Sequence, residues 1–262
     1  MSKHLANIAI AGALAASFLT PVAASAASIV GLVEGKTLVM IDPASKKVTS
    51  TVALKGTPGL LGIDVRPADG MLYGVSKDGN VVTIDPKSGQ TTMKSKLTET
   101  VKAGVAVTVD FNPVADRLRV MGSDGASHRI NVDDGKVTVD GSHKFKDGDA
   151  NAGKTPKVIA GSYSNSFKGT TATALYNVDA TAGVLVTQAP PNDGVLNTIG
   201  ALGMKLDGAV AFNIVSASAD KNDAWLVTGG NLYSVDLKTG KATMAGKLSG
   251  VSGKLTDIAW MD

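Results

Sequence analysis

The sequence predicts an all-β fold, a β-propeller of five four-stranded blades that is closed by pairing the C-terminal strand with the N-terminal blade. Three observations support this prediction. Short alternating strands recur with a period of roughly 40–50 residues, which is typical of propeller blades. The composition favours turns and strands over helices, and each end of the chain supplies only part of a blade.

A recurring strand–turn–strand segment defines the repeat. Three copies are LVMIDPASKKVTSTVAL (38–54), VVTIDPKSGQTTMKSKL (81–97) and NLYSVDLKTGKATMAGKL (231–248). An aspartate ends the first strand of each copy and of two weaker copies, and these aspartates are Asp42, Asp85, Asp133, Asp179 and Asp236. Their spacings are 43, 48, 46 and 57 residues, so five blades are predicted, and the long last step leaves six blades as an alternative.

The second repeat unit shows the four strands of one blade most directly. Its apolar alternation predicts an inner strand over 60–65 and three further strands over 71–75, 80–84 and 91–97. An aspartate leaving a strand can accept backbone N–H groups two residues further on, and Gly89 supplies the left-handed turn position. The repeated turn aspartates are therefore interpreted as structural.

The two ends of the chain predict how the ring closes. Residues 29–43 align without a gap on residues 72–86, at a constant offset of 43, but no inner strand precedes them. The C-terminal LTDIAWMD (255–262) reads as an inner strand with nothing after it. Pairing the last strand with the first blade would complete that blade and remove open sheet edges between the two ends.

Residues 1–27 have the pattern of a secretory signal peptide, so a single propeller domain is expected over 28–262. A basic start at Lys3 precedes an apolar run over 8–19, and AASAAS (23–28) offers small-residue cleavage sites. The apolar run is too short to span a bilayer. We expect a periplasmic or extracellular protein without a membrane span.

Composition limits the classes of partner. The chain has 30 glycines, no cysteine and only two glutamates, Glu34 and Glu99, which favours turns over helices. The lysines are scattered along turns, and the formal net charge of +3 is small, so nucleic acid is not an expected partner. We expect a monomer that binds a ligand or protein partner whose identity the sequence does not give.

The order of several motifs resembles a known family. LLGIDVRP, VDFNPVADRLRV, GDANAG, QAPPNDGVLNTIGALG and LYSVDLKTGKAT follow one another as in the secreted bacterial family catalogued as domain of unknown function 4394. The resemblance covers about residues 28–261. It implies an exported, propeller-like protein with no established activity, and it supplies no catalytic residues.

Polar residues in the inner strands are the first candidate ligand-binding site. Aligning the strands on GIDV places one polar residue per blade toward the axis, namely Asp64, Asp110, Tyr163, Asn213 and Asp257. Carboxylates that close together are unfavourable unless they bind a cation, share protons or accept hydrogen bonds. The alternative interpretation is a water-filled channel whose aspartates bond to neighbouring backbone.

Two loops supply further candidates. Asp147, Asp149 and Asn151 alternate as in calcium loops, although the glycine and glutamate of an EF-hand loop are missing. Calcium is thus the only cofactor considered, and a hydrogen-bonded turn between blades is the alternative. Asn192 and Asp193, in the long insertion QAPPNDGVLN, are candidate ligand-binding residues on a surface loop. The alternative there is simply a long connection within a blade.

Two function classes remain. The first is an exported, non-enzymatic binding or scaffold propeller with an unknown ligand. The second is a glycosidase-like hydrolase, which would need two of the channel-mouth aspartates about 5–10 Å apart. No nucleophile elbow or zinc-binding helix motif occurs in the sequence, and no residue is assigned as catalytic. The binding module is the favoured hypothesis.

Overall fold

The computed structural model describes residues 27–101, 105–219 and 221–261 of the chain. Within these ranges, 21 strands form five sheets. Four of the sheets are entirely antiparallel, and the fifth has one short parallel strand at its edge. The five sheets are the five blades of a propeller, as the sequence predicts. The predicted signal peptide lies almost entirely outside the described residues, and the first strand begins at Ser28.

The strands of each blade are as follows. Blade 1 contains β1 (Ser28–Val33), β2 (Thr37–Asp42), β3 (Lys47–Ala53) and β21 (Leu255–Met261). Blade 2 contains β4 (Leu60–Val65), β5 (Leu72–Ser76), β6 (Asn80–Ile84) and β7 (Thr91–Lys96). Blade 3 contains β8 (Val107–Asn112), β9 (Arg117–Gly122), β10 (Ser127–Ile130) and β11 (Val137–Val139).

The last two blades differ in size. Blade 4 contains β13 (Val158–Tyr163), β14 (Leu175–Asp179), β15 (Val184–Gln188), β16 (Val195–Ala201) and, parallel to β16 at the outer edge, β12 (Lys144–Phe145). A short 3₁₀ helix, Pro191–Asp193, connects β15 to β16. Blade 5 contains β17 (Val210–Ser218), β18 (Lys221–Thr228), β19 (Asn231–Val235) and β20 (Ala242–Lys247).

Ring closure follows the predicted route. The C-terminal β21 pairs with β1, so that Trp260 lies opposite Ile29 and Ile258 lies opposite Gly31. The five inner strands β21, β4, β8, β13 and β17 then contact one another in cyclic order. The six-blade alternative is wrong, because the described residues form five sheets. The step of 57 residues is long because Asp179 ends the second strand of blade 4, whereas Asp236 follows the third strand of blade 5.

Apolar side chains hold neighbouring blades together. Between blades 2 and 3, for example, Val75 and Val81 belong to one buried cluster with Val109, Leu118 and Val120. Burying each such side chain contributes roughly 1.5–3 kcal/mol. A separate apolar cluster lies at each junction between neighbouring blades, and these clusters hold the inner strands in place around the axis.

The turn acceptors bond as the sequence predicts, but the repeat alignment was out of register in blade 3 as well as at Asp179 in blade 4. Asp85 accepts hydrogen bonds from Lys87 N and Ser88 Oγ, at 2.9 and 2.6 Å. In blade 3 the equivalent position is Asn131, which accepts from Asp133 N at 3.2 Å, so the alignment on Asp133 was wrong by two residues. Among the described residues, no helix is long and apolar enough to cross a membrane.

Candidate functional site

The axis is lined by polar side chains that connect adjacent blades. Asp257 accepts a hydrogen bond from Ile63 N at 2.9 Å, and Asp64 accepts one from Phe111 N at 2.7 Å. Asp110 accepts one from Tyr163 N at 2.7 Å. Each carboxylate thus bonds to the backbone of the next inner strand around the ring. Buried N–H groups of three blades obtain partners in this way.

Two of the five predicted axial residues occupy other positions. In blade 4 the residue that bonds to the next blade is Ser162, whose Oγ accepts from Ile214 N at 3.1 Å. Tyr163 points the other way, between blades, and its hydroxyl accepts a hydrogen bond from Arg119 Nε at 2.7 Å. The prediction that Tyr163 faces the axis was wrong, because successive side chains alternate across a strand.

Asp257 lies two residues out of register with the other axial aspartates. Asp64 and Asp110 accept hydrogen bonds from the residue that follows the axial residue of the next inner strand. Asp257 instead accepts from Ile63, the residue that precedes the axial Asp64. Its carboxylate lies over Gly62, where a Cβ would be only 2.6 Å from Asp257 Oδ2. A glycine at this position permits the close approach.

Asn213 makes a contact across the axis. Its Nδ2 lies 3.5 Å from Asp110 Oδ2, and its amide also interacts with Asp64. The junction between blades 5 and 1 is supported by Trp225 and Trp260, whose rings stack with centroids 6.2 Å apart. Asn213, Asp64 and Asp110 are therefore brought together as the sequence suggests.

Burial controls the protonation of the axial carboxyls. It raises the pKa of Asp64 to about 7, although hydrogen bonds from Phe111 N and Val65 N act in the opposite direction. Burial also raises the pKa of Asp110 well above its usual range, and the charge of Asp64 adds to this effect. The pKa of Asp257 is raised for the same two reasons, with burial the larger. The raised pKa values therefore favour the protonated, neutral form of these three carboxyl groups.

This geometry does not present a pair of free carboxylates to a substrate. Asp64, Asp110 and Asp257 are 4%, 2% and 4% exposed, and each bonds to the backbone of the adjacent blade. Within 27–101, 105–219 and 221–261, no group of three or more His, Cys, Asp or Glu side chains is arranged to hold a metal ion. The axial aspartates act chemically as connectors between blades.

The loop considered for calcium is bonded to its own blade. Both carboxylate oxygens of Asp149 accept hydrogen bonds from Thr198, Oδ1 from its hydroxyl and Oδ2 from its backbone N–H, each at 2.7 Å. Asn151 is buried and donates to Thr198 Oγ1 at 3.0 Å. Asp147 lies apart from them and is exposed. The loop thereby anchors the connection before β13 to β16.

The second loop is also tied to the body of the protein. Asn192 Oδ1 accepts from Arg119 Nη2 at 2.8 Å, and Arg119 is only 1% exposed. The same guanidinium donates to Asp140 Oδ2 at 2.9 Å. Asp193 is exposed beside it. Asn192 is therefore an exposed residue whose side chain is bonded to a buried arginine.

A large concave surface lies at the mouth where the inner strands start. Two adjoining cavities of about 830 and 380 Å³ share Val105, Ala106, Ile159, Ala209 and Val210 in their linings. All five inner strands contribute to the smaller cavity. We call these two cavities together the strand-start depression. It covers one end of the axis.

Lysines surround this depression. Lys77 and Lys254 line the smaller cavity, and Lys157 and Lys205 line the larger one. All four are exposed, and none forms an ion pair with a carboxylate of a residue that the structure describes. These four lysines are far apart in the chain, so their clustering was not predicted. A usable signal was that Lys157 and Lys254 directly precede inner strands.

The opposite mouth is smaller and of mixed chemistry. A cavity of about 260 Å³ lies where the inner strands end, and Asp64, Asn213, Trp260 and Phe167 line it. Arg66 Nε at this end pairs with Asp116 Oδ1 at 2.8 Å, and Lys168 is the one lysine in the lining of this cavity, against four around the strand-start depression. The two ends of the axis therefore differ in both size and free charge.

Solved structures with similar folds are distant in sequence. A protein of unknown function from Bacteroides thetaiotaomicron VPI-5482 has a TM-score of 0.51 at 14% identity, covering 88% of this chain and 63% of its own. A protein of unknown function from Bacteroides caccae has a TM-score of 0.44 at 14% identity, covering 84% of this chain and 72% of its own.

An auxiliary nutrient binding protein from Bacteroides ovatus ATCC 8483 has a TM-score of 0.47 at 14% identity, covering 81% of this chain and 57% of its own. No curated protein matches the chain. The family described as Domain of unknown function (DUF4394) matches residues 22–259, so the chain belongs to this family.

Proposed function

We propose that this protein is an exported, non-enzymatic binding propeller whose ligand occupies the strand-start depression. The observation that carries the proposal is the depression itself, to which all five blades contribute. Ligand sites are generally concave, mostly apolar and supplied with a few polar groups. Leu61, Val105 and Ile159 are half-buried here and form an apolar floor.

A small organic ligand suits this site. The cavities of about 830 and 380 Å³ fall within or near the usual range of roughly 300–1,000 Å³ for small-molecule sites. Two of the large apolar side chains that are exposed elsewhere on the described residues, Met93 and Met244, lie on separate outer strands. Scattered exposed apolar residues of this kind need no partner.

Hydrolysis is the less favoured function. A glycosidase needs two accessible carboxyls, one to donate a proton and one to act as nucleophile or base. The axial carboxyls are buried and bonded to backbone amides, which supports a structural role for them. Export is proposed from the signal-like segment over 1–27, and mass spectrometry of the protein purified from its host's periplasm or medium would identify the mature N-terminus.

The binding proposal is tested by thermal shift with a panel of small organic compounds. Ala106 is exposed and lines both cavities, so Ala106→Trp should fill the depression. Ala44, exposed in a turn at the opposite end of its blade, gives the matched control Ala44→Trp. A ligand at about 100 times its Kd adds roughly 2.7 kcal/mol, or roughly 5–10 °C in Tm.

We expect a compound that raises the Tm of the wild type and of Ala44→Trp but leaves that of Ala106→Trp unchanged. A compound that stabilises Ala106→Trp as much as the wild type would place the ligand elsewhere and overturn the proposal. Failure of every compound class in the panel to stabilise the wild type would also count against it.

A further inference from the structure

The lysines around the strand-start depression indicate the chemistry of its ligand. We propose that the depression binds an amphipathic anion, a molecule with an apolar body and at least one carboxylate, phosphate or sulfate group. This inference rests on the proposed function and adds the ligand class. It combines two independent features of the same surface, an apolar floor and a rim of free ammonium groups.

The floor provides the first feature. Leu61, Val105 and Ile159 remain half-buried, and Met204 and Leu206 extend the apolar surface along the larger cavity. Removing such surface from water is favourable in proportion to its area. An apolar body seated on this floor would complete the burial of side chains that three separate blades leave partly exposed.

The rim provides the second feature. Four lysines and two carboxylates, Glu34 and Asp124, line the two cavities, which leaves a net charge of +2. Among the described lysines only Lys94 forms an ion pair, with Asp133, so the rim is distinguished by bringing four unpaired lysines to one concave surface and not by their lack of partners. The four rim lysines lack such pairs among the described residues. Their charge is therefore available to an external anion.

Other ligand charges fit less well. An uncharged apolar molecule would cover the floor but would leave the ammonium groups without a partner. A cation of the same shape would meet a surface of its own sign. Since a concave site focuses the field of the charges that line it, the rim should favour anions over both. Lysine acts as a mobile point charge, so the anionic group is not required to have one fixed geometry.

The test compares three probes of one chain length: decanoate, decanol and decyltrimethylammonium. Binding to the full-length mature protein is measured by isothermal titration calorimetry below the micelle concentration of each probe. We expect decanoate to bind most tightly, and its affinity to fall as salt is raised, because exposed charges are screened over about 8–10 Å at physiological salt.

Lysine substitutions distinguish a specific rim from general positive charge. We prepare Lys77→Ala/Lys254→Ala and Lys157→Ala/Lys205→Ala as test variants. Lys87 and Lys136, exposed in turns at the opposite end of the blades, give the control Lys87→Ala/Lys136→Ala with the same change in net charge. Exposed ion pairs of this kind are modest, so each test pair should weaken decanoate binding about 2- to 30-fold. The control should leave it unchanged.

The possible outcomes separate this inference from the proposed function. If decanol or the ammonium probe binds as tightly as decanoate, or if the control pair weakens binding as much as the test pairs, the anionic ligand class is wrong. If those probes nevertheless lose their binding in Ala106→Trp, the depression remains the binding site. If decanoate binds Ala106→Trp as tightly as the wild type, both the ligand class and the site are wrong. If no probe binds the wild type, the ligand class is overturned and the compound panel decides the function.

Discussion

Asp64 lies in the inner strand of blade 2, and Asp85 lies in the turn that ends the third strand of the same blade. Both accept hydrogen bonds from backbone N–H groups, Asp64 from Phe111 at 2.7 Å and Asp85 from Lys87 at 2.9 Å. The pKa of Asp85 is nevertheless lowered, first by the hydrogen bond from the Ser88 hydroxyl. The pKa of Asp64 is raised to about 7 by burial.

The pKa values of the two aspartates differ because a different physical effect dominates at each position. At the solvent-exposed turn, hydrogen bonds stabilise the charged carboxylate and little desolvation opposes them. At the axis, the same kind of hydrogen bond is outweighed because the carboxyl has lost its water. Within blade 2, aspartate thus serves two purposes, and burial near the axis separates them.

Removing a whole inner strand should have the largest effect on the axial set. Truncation after Gly253 deletes β21, and with it Asp257 and the buried Leu255 and Ile258. The loss of those two apolar side chains alone is worth roughly 3–6 kcal/mol, against a typical total stability of about 5–15 kcal/mol. We expect an unfolded or aggregating protein by circular dichroism. A cooperative melt near the full-length midpoint would refute closure by β21.

Two substitutions at Asp110 separate its hydrogen bond from its charge. At about pH 4 the buried carboxyl is largely protonated, because its folded pKa is raised well above the ordinary value. Asp110→Ala leaves the buried Tyr163 N–H without a partner and should reduce the free energy of unfolding by about 1–3 kcal/mol. Asp110→Asn keeps an acceptor oxygen and should change it little. Equal losses in both variants by denaturant titration would exclude the hydrogen bond as the cause.

Asp64→Asn should reveal the pH dependence of the axis. Because the folded pKa of Asp64, about 7, exceeds the ordinary value of 3.8, the folded state binds more protons between these values. Its contribution to stability is therefore present at low pH and is lost as pH rises toward 7. Relative to the wild type, the variant should gain at most about 1.4 kcal/mol per pH unit across this window and then level off.

The comparison between wild type and Asp64→Asn also removes an opposing effect. Burial lowers the pKa of His143 to about 4, so this histidine contributes stability that increases as pH rises from 4 to 6.5. The same contribution is present in both proteins and cancels in their difference. A difference that is flat from pH 4 to 8 would show that Asp64 is not the titrating group.

The smallest effect is expected at the turn. The folded pKa of Asp85 is lowered, so its contribution is present above the ordinary value of 3.8 and is lost as pH falls through the folded pKa. Asp85→Ala should lower the Tm slightly at pH 7, by less than Asp110→Ala at its test pH, and this loss should shrink as the pH falls through the folded pKa. Asp85→Asn, which keeps the turn acceptor, is the matched control. A larger loss at pH 2 than at pH 7 would contradict the sign of the shift.

The interior of the axis could be predicted only in part. Asp64, Asp110 and Asn213 were found by alignment because each strand carries a polar residue among apolar ones. Ser162 was missed in favour of the neighbouring Tyr163, and the register of Asp257 was not recognised. Small residues stand two positions before both Ser162 and Tyr163, namely Ala160 and Gly161, so the local pattern did not separate the two.

Features that depend on residues close together in the chain could be predicted from the repeat pattern alone. The turn chemistry at Asp85 and Gly89 and the alternation of strands recur from unit to unit, and the number of units gives the number of blades. Closure was also predictable, because the incomplete units at the two ends are complementary. These features need no knowledge of how one blade packs on the next.

Which side chains share a surface depends on how the blades pack in the ring, and the repeat pattern does not contain that information. Lys77, Lys157, Lys205 and Lys254 are widely separated in sequence, and the ring brings them to one mouth of the axis. The fold also bonds Asp149 to Thr198 and Asn192 to Arg119, so these two loop candidates attach their loops to the blades. The physical reason is that burial and charge pairing depend on contacts between blades, and the repeat pattern describes each blade alone.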